Sequence, residues 1–388
     1  MPKVNPEVLI WARTTAGLSL AEAAIKLGMT EPGRLESLER GERNPSRRQL
    51  VKMAERYRRP LIAFYLPAPP RESDRGQDFR TLPDGRTEAR EEPLLNALLR
   101  DVHARQGLVR AALEEADEDQ PLAFVGSAHV SDGVNSLVRS MRGVLGLSLD
   151  EFRAQGTVVE AFAKLRAATE KAGVFVVLMG NLGTHHTDID PRVFRGIALS
   201  DAVAPFVVIN EKDSKAAWSF TLLHELTHVW LGQTGISGYD GEAEVEKLCD
   251  AVAARFLLDP SELDELRIST AFNLDDLRQK IGIFAQHRNL SRKMVAYNLM
   301  RSRLIQRSAY SELCAVFDTE RLVRSSERPG DKGGPDYYVV RRHRAGPGLL
   351  DVVRRMVTGG SLTTTKAGRV LGVKPTSVSR LLDGGNAA

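Results

Sequence analysis

The sequence predicts a multi-domain protein with an all-α N-terminal domain, a central α+β domain and a mostly helical, basic C-terminal tail. Three observations support this division. At about 150 residues per domain, 388 residues are enough for two or three domains. Short amphipathic helical patterns fill the first 70 residues, whereas short β-branched runs alternate with helical patterns in the middle of the chain. The two ends also differ from the middle in charge.

The net charge of +4 is distributed unevenly along the chain. Residues 1–70 hold 12 Lys and Arg against 7 Asp and Glu, and residues 320–388 hold 13 against 6. Residues 71–319 hold 29 Lys and Arg against 37 Asp and Glu. Basic ends around an acidic middle favour contact of the ends with an anionic polymer such as DNA.

Several classes of protein are excluded by composition. No run approaches 18 consecutive apolar residues, so we expect no membrane span and no membrane partner. The charged, amphipathic start lacks the apolar segment of a signal peptide. Two cysteines, Cys249 and Cys314, are too few for a disulfide scaffold or a four-cysteine zinc ribbon. We therefore expect a reduced, cytoplasmic protein, nucleoid-associated when it binds DNA.

Turn residues and composition predict the domain boundaries. A Pro-rich stretch ends the first helical region near residue 70, and a polar, Gly/Pro-punctuated arm follows it. The predicted parts are an N-terminal domain at 1–70, a linker and helical connector at 71–146, an α+β domain at 147–313 and a basic domain at 314–388.

Helix start and stop signals locate elements in the first domain. Ser19 caps a helix over residues 20–27, with Glu22 placed for a capping box, and Gly28 ends it. Thr30 is expected to cap a third helix, and a fourth begins after Pro45.

The remaining elements follow from hydrophobic periodicity. The patterns predict helices over 93–116, 148–172, 214–232 and 242–258, strands over 174–178, 196–200, 205–210 and 337–341, and two late helices in the tail.

The most informative motif is His224-Glu225-Leu226-Thr227-His228. Two histidines four residues apart project from one face of a helix, so both imidazoles can reach one metal ion. The glutamate between them is placed to act on a water molecule at that metal. The surrounding helix is largely apolar, and buried histidines and a buried glutamate are costly without a function. A chance match on a buried helix is the alternative.

A catalytic zinc needs a third protein ligand and an open position. The next helical segment offers four acidic side chains, and apolar residues mark much of it as buried. Glu246 is our predicted third ligand. Asp250, on the same face, is predicted to hold a ligand histidine through its second ring nitrogen. Glu242 and Glu244 are assigned to a solvated face.

This arrangement predicts hydrolysis of a peptide bond. Zinc lowers the pKa of its water toward about 7 and polarises a carbonyl, and Glu225 passes the proton to the leaving amine. The strand over 206–209 is expected to offer its edge to an extended substrate. The candidates for oxyanion stabilisation, each better explained by a structural or surface role, are His185, His186, Arg195, Tyr239 and His287.

These residues resemble the ImmA/IrrE metallopeptidases. The similarity lies in 206–210, 212–214, 220–228 and 246–260, together with Phe194-Arg195-Gly196, and covers about residues 150–310. It implies a zincin-like domain with one Zn2+ per chain, bound by His224, His228 and Glu246, with Glu225 as catalytic base. It also implies a helix-turn-helix repressor or antitoxin as substrate, in a stress or mobile-element response. Asp250 and Thr227 depart from the family, which often has Asn and Gly or Ala there.

The N-terminal segment resembles an Xre-family helix-turn-helix domain over 18–30 and 38–46. This resemblance implies binding to double-stranded DNA. Gly28 and Glu39 are 11 positions apart where the family usually has 10, with Gly33 the candidate extra residue. Residues predicted to contact DNA are Ser19, Thr30, Glu31, Arg34, Arg40 and Arg43, with Arg47 and Arg48 as further phosphate contacts.

The C-terminal tail repeats this motif. Residues 363–374 align with 19–30 at a constant offset of 344, so that Ala367, Leu371 and Gly372 match Ala23, Leu27 and Gly28. Residues 377–382 would form the second helix. The repeat is either a second DNA-contacting element or an accessory helical hairpin.

Together these features predict a DNA-binding transcriptional regulator that carries a zinc endopeptidase and cleaves a repressor, an antitoxin or itself. A homodimer is compatible with this prediction. One alternative is a non-enzymatic, antitoxin-like regulator with a structural or sensory zinc site. Another is a housekeeping peptidase whose helical ends bind protein.

Overall fold

A computed structural model describes residues 4–29, 31–70, 77–78, 91–237, 244–268, 273–326 and 336–383. The chain divides into two compact units. The first comprises Met1–Arg75, Leu82–Val102 and Asn181–Ile189, and the second comprises Gly76–Thr81, His103–Gly180 and Asp190–Ala388.

The first unit contains four short helices where the sequence predicts them. They are α1 (Pro6–Thr14), α2 (Leu20–Leu27), α3 (Pro32–Glu39) and α4 (Arg47–Arg56), followed by a 3₁₀ turn at Leu61–Tyr65. Their apolar faces meet in one core, with Leu9, Leu35, Met53 and Phe64 at most 1 % exposed. A partly buried ion pair joins α1 to α3, since Arg13 Nε lies 2.7 Å from Glu39 Oε1.

Capping explains the helix boundaries in this unit. The Ser19 hydroxyl accepts a hydrogen bond from the Glu22 amide, and the Glu22 carboxylate accepts one from the Ser19 amide, so the predicted capping box is present. Gly28 ends α2 with a φ of 73°. The expectation that Thr30 caps α3 is wrong, because Glu31 is the N-cap residue and makes no side-chain cap hydrogen bond. Thr30 itself lies outside the described residues.

The second unit is mostly helical around a small mixed sheet. Helix α5 (Glu91–Glu115) has residues in both units. The others are α6 (Gly133–Leu145), α7 (Leu149–Arg153), α8 (Val158–Lys171), α9 (Trp218–Trp230), α10 (Glu244–Leu257), α11 (Leu274–His287), α12 (Arg292–Arg301), α13 (Arg307–Ser326), α14 (Tyr337–Ala345), α15 (Pro347–Gly359), α16 (Thr364–Leu371) and α17 (Val378–Asp383).

The strands are β1 (Gln77–Asp78), β2 (Phe175–Leu178), β3 (Gly196–Leu199), β4 (Phe206–Ile209) and β5 (Gly235–Ser237), and their order in the sheet is β1-β5-β3-β4-β2. Strand β4 pairs parallel with β2 and antiparallel with β3, while β5 pairs antiparallel with β3 and parallel with β1. Because both sides of β4 are paired, the expectation that it offers an edge to a substrate is wrong.

Strands β2, β3 and β4 form within a residue or two of their predicted bounds. Every residue in them is buried, which explains why they read as continuous apolar runs. Two predictions elsewhere are wrong. The single helix expected over 148–172 is two helices, because the chain breaks near Gly156 and Thr157 caps α8. The strand expected over 337–341 is part of α14, because the Asp336 side chain caps a helix there.

A buried ion pair ties the tail to α8 within the second unit. Arg166 Nε donates to Glu170 Oε1 at 3.0 Å, and both side chains are at most 5 % exposed. Arg166 also donates to the carbonyl of His343 at 2.6 Å, and the amide of Gly348 donates to Glu170 at 2.8 Å. Burial raises the pKa of the Glu170 carboxyl, so its charged form depends on these partners.

Among the described helices, none has the length and apolarity that a membrane crossing requires.

Arg166→Met is expected to destabilise the second unit by about 3–5 kcal/mol, because it leaves the buried Glu170 charge without its partner. The double variant Arg166→Met/Glu170→Leu should lose less stability than Arg166→Met, since it leaves neither charge of the pair buried. Urea unfolding followed by circular dichroism measures both. Arg192→Met is the control, since it breaks an exposed pair with Asp190 and should cost less than about 1 kcal/mol. Equal losses in Arg166→Met and in the control would contradict this account.

Candidate metal centre

Helix α9 carries the two histidines through the interior of the second unit. All of its residues except Phe220 are buried, and it contains no glycine or proline. It packs against α10, which runs past the same histidines, and against β3 of the sheet. The apolar side chains of both helices therefore hold the polar residues between them in fixed positions.

Three side chains converge between these helices. The Nε2 atoms of His224 and His228 lie 3.2 Å apart. The carboxylate of Glu246 lies 3.2 Å from His224 Nε2 and 3.0 Å from His228 Nε2. Ligand atoms of a tetrahedral zinc with bonds of about 2.0–2.2 Å are separated by roughly 3.3 Å. The spacing of this set therefore fits three ligands of a tetrahedral zinc ion.

A second grouping includes Cys249. One ligand atom from each of His224, His228 and Cys249 lies within 4.8 Å of the others, so these residues could also hold a metal. Cys249 Sγ, however, lies 3.8 Å from His228 Nδ1, the ring nitrogen opposite the one that faces Glu246. Burial, followed by the carboxylates of Glu246, Glu225 and Asp250, raises the pKa of the Cys249 thiol well above its usual value. We therefore favour the set with Glu246.

The outer nitrogens of both histidines have polar neighbours. His224 Nδ1 lies 2.9 Å from Asp250 Oδ1, which is where the sequence predicts this carboxylate. His228 Nδ1 lies 3.3 Å from Gln233 Oε1. Such neighbours fix the orientation and tautomer of a ligand histidine. Sequence reasoning missed Gln233, and its only signal is its position just beyond the end of α9.

The charges at this centre favour a cation. Burial lowers the pKa of His224, but hydrogen bonds to Asp250 and Glu246 and the charges of Asp250 and Glu225 outweigh it and raise that pKa well above the usual value. Burial raises the pKa of Glu246, yet the two histidines lower it overall, to about 2. Three carboxylates thus surround two imidazoles, and a divalent ion would offset two of the three negative charges.

Glu225 is fully buried and lies against the start of β3. A Cβ atom on Gly196 would lie 2.2 Å from Glu225 Oε1 and 2.6 Å from its Cδ, so only glycine fits there. The preceding loop is held by Asn210, whose Nδ2 donates to the carbonyl of Phe194 at 3.1 Å. The sequence places Gly196 and Asn210 only within motifs and predicts neither contact, because both depend on the sheet register.

The remaining residues are the candidates for oxyanion stabilisation and the two acidic residues assigned to a solvated face. Arg195 lies 3.7 Å from Asp213, and His287 is exposed at the end of α11. His185 and His186 are exposed and belong to the first unit. Glu244 is exposed, as predicted, whereas Glu242 and Tyr239 lie outside the described residues.

The predicted DNA contacts are mostly on the surface of the first unit. Glu31, Arg34 and Arg43 are exposed. Arg40, the C-cap residue of α3, is exposed and forms an ion pair with Glu36 of that helix. Ser19 has the structural role of capping α2.

A family model matches the part of the chain that contains this centre. Residues 170–300 match the model of a peptidase family, Peptidase_M78, described as an IrrE N-terminal-like domain. This segment includes β2 to β5, α9 and α10, and therefore the whole histidine and carboxylate centre. The match indicates a zincin-like metallopeptidase domain of the ImmA/IrrE type in this part of the chain. No curated protein and no solved structure matches the chain.

Zinc titration of the purified protein distinguishes the two candidate ligand sets. We expect His224→Ala, His228→Ala and Glu246→Gln each to weaken zinc binding by at least about 100-fold, since each removes a ligand or its charge. Asp250→Asn should weaken it by about 10–100-fold. Cys249→Ala should bind zinc within a fewfold of the unaltered protein. A large loss in Cys249→Ala with little loss in Glu246→Gln would contradict the assignment.

Proposed function

We propose that this protein is a DNA-binding regulator whose zinc endopeptidase cleaves a helix-turn-helix repressor or antitoxin, or the protein itself, in a stress or mobile-element response. The observation that carries the proposal is the convergence of His224 and His228 on α9 with Glu246 on α10, within 3.2 Å of one another, where α9 also carries Glu225. The three converging side chains provide ligands for zinc, and Glu225 provides a carboxylate outside the ligand set.

The proposed chemistry is hydrolysis of a peptide bond. When bound, zinc supplies Lewis-acid chemistry that makes a water molecule acidic near neutral pH and polarises the scissile carbonyl. Glu225 accepts a proton from the attacking water as the new C–O bond forms. It then delivers that proton to the amine nitrogen as the C–N bond breaks. Gly196 leaves the space that the Glu225 carboxylate occupies.

The residues around the centre are assigned orienting roles. Asp250 accepts the Nδ1 proton of His224, which leaves Nε2 free to bind metal, and Gln233 does the same for His228. Asn210 fixes the loop before Gly196 and therefore the wall against which Glu225 rests. These contacts keep the base and the ligands in one geometry.

The regulatory half of the proposal assigns DNA binding to the first unit. Its helices α2 and α3 follow one another across the turn at Gly28, and arginines are exposed beside them at positions 34, 43, 47 and 48. Such residues suit phosphate contacts. The repressor or antitoxin substrate is proposed from the resemblance to the ImmA/IrrE peptidases.

Glu225→Gln tests the peptidase assignment. We expect zinc to remain bound while cleavage slows by about 10²–10⁴-fold, since the base is lost and no ligand is. The zinc-loaded protein is incubated with a purified helix-turn-helix repressor, and products are identified by mass spectrometry. Glu244→Gln, an exposed carboxylate on the neighbouring helix, is the control and should cleave normally.

The same cut at the same rate in Glu225→Gln would show that Glu225 is not the base. Regulation in the cell that persists in this variant, with zinc bound, would favour a non-enzymatic regulator with a sensory or structural zinc.

Gly196→Ala tests the packing behind Glu225. The added methyl group overlaps the Glu225 carboxylate and should displace it, so we expect a loss of about 100-fold in cleavage with zinc still bound. Gly282→Ala is the matched control, because a Cβ atom there has no neighbour within 4 Å. Normal cleavage by Gly196→Ala, measured in the same assay, would be inconsistent with this role.

A further inference from the structure

The end of the second unit repeats a motif of the first unit in its local structure. Helix α16 begins after Thr363, whose hydroxyl accepts a hydrogen bond from the Lys366 amide, as Ser19 does for Glu22 at the start of α2. Both helices have eight residues, and both end at a left-handed glycine, with φ of 68° at Gly372 and 73° at Gly28. The two helices therefore have the same length and equivalent N-cap and C-cap residues, which are separated by the constant offset of 344 positions.

The two copies differ in the turn that follows. In the first unit, the buried Leu35 follows Leu27 by eight positions, whereas in the tail the buried Val378 follows Leu371 by seven. The turn after α16 is therefore one residue shorter than the turn after α2, where Gly33 is the candidate extra residue. A 3₁₀ turn at Pro375–Ser377 leads directly into α17.

Close backbone contact fixes the crossing of these two elements. A Cβ atom on Gly368 would lie 2.9 Å from the carbonyl oxygen of Val373 and 3.2 Å from the nitrogen of Pro375. Small residues on the first helix let the second element cross it closely, as in DNA-binding helix-turn-helix units. Val378, Leu381 and Leu382 then bury the inner face of the second element.

Three arginines donate hydrogen bonds to backbone carbonyls of α16 and α17. Arg342 Nε donates to the carbonyl of Leu381 at 3.0 Å, and Arg354 donates to that of Leu382 at 2.9 Å. Arg105 donates to the carbonyl of Val370 at 3.2 Å. Cations at the carboxyl ends of both helices satisfy their last carbonyls and oppose the helix dipoles. The opposite face of the second element is thereby left at the surface.

That outer face is polar and basic. The exposed positions of the second element are Lys374, Pro375, Thr376, Ser379, Arg380 and Asp383. Lys366 and Arg369 are exposed on α16. Residues 336–383 hold nine Lys and Arg against three Asp and Glu. Short polar side chains flanked by cations suit base edges in a groove between two phosphate backbones.

We propose that residues 363–383 form a second DNA-binding element, with the segment 375–383 entering the major groove of duplex DNA. Thr376 and Ser379 face the base edges, and Lys366 and Lys374 contact phosphates. This inference goes beyond the proposed function, which assigns DNA binding to the first unit. It does not depend on the peptidase chemistry.

The test uses the full-length protein and a duplex selected from a random-sequence pool by the unaltered protein. Affinity is measured by fluorescence anisotropy over a series of salt concentrations. Lys374→Ala should weaken binding severalfold on every duplex and lower the slope of log K against log salt by about 1. Ser379→Ala should change the selected base at one or two positions. Lys171→Ala, an exposed cation at the end of α8, is the control for loss of charge.

A second variant separates this proposal from the first. Arg43→Ala/Arg47→Ala/Arg48→Ala removes three exposed arginines of the first unit. If only this triple variant weakens binding, the C-terminal element is not a DNA-binding one. If Lys374→Ala weakens it and the triple variant does not, the C-terminal proposal stands and these three arginines of the first unit do not contact DNA. Equal effects of Lys374→Ala and Lys171→Ala, or binding to RNA or protein with no duplex DNA binding, would overturn the inference.

Discussion

The convergence of three buried side chains between α9 and α10 constrains the rest of the second unit. Imidazoles and carboxylates held without water are costly unless they are paired or bind a metal. Here Glu246 faces both histidines at 3.0–3.2 Å, and Asp250 and Gln233 hold their outer nitrogens. The apolar helices, the glycine at the start of β3 and the loop fixed by Asn210 all serve this one arrangement.

Much of this centre could be predicted from the sequence because its spacing is local. The i, i+4 histidines and the acidic face of α10 each lie on one helix, where periodicity specifies which side chains share a face. Gln233, Asn210 and the role of Gly196 could not be predicted, since each depends on a contact between different elements. The same limit explains why β4 was expected to be an edge strand, whereas its pairing on both sides follows only from the sheet order.

Helix boundaries were predictable where a cap is encoded in the sequence, as at Ser19, Gly28 and Thr363. The prediction was wrong where the local propensity of the residues opposed their capping and tertiary packing. The Tyr- and Val-rich start of α14 reads as a strand, yet the Asp336 cap and packing against β2 make it helical. The uneven charge of the sequence has a structural counterpart in the tail, where arginines anchor the last helices and cations also line their outer face.

We propose that zinc is bound by His224, His228 and Glu246, with Cys249 outside the ligand set. X-ray absorption spectroscopy of the zinc-loaded protein tests this most directly. We expect two imidazole nitrogens and oxygen ligands at about 2.0–2.2 Å from the zinc, with no sulfur scattering. A sulfur ligand at about 2.3 Å would contradict it and place Cys249 at the metal.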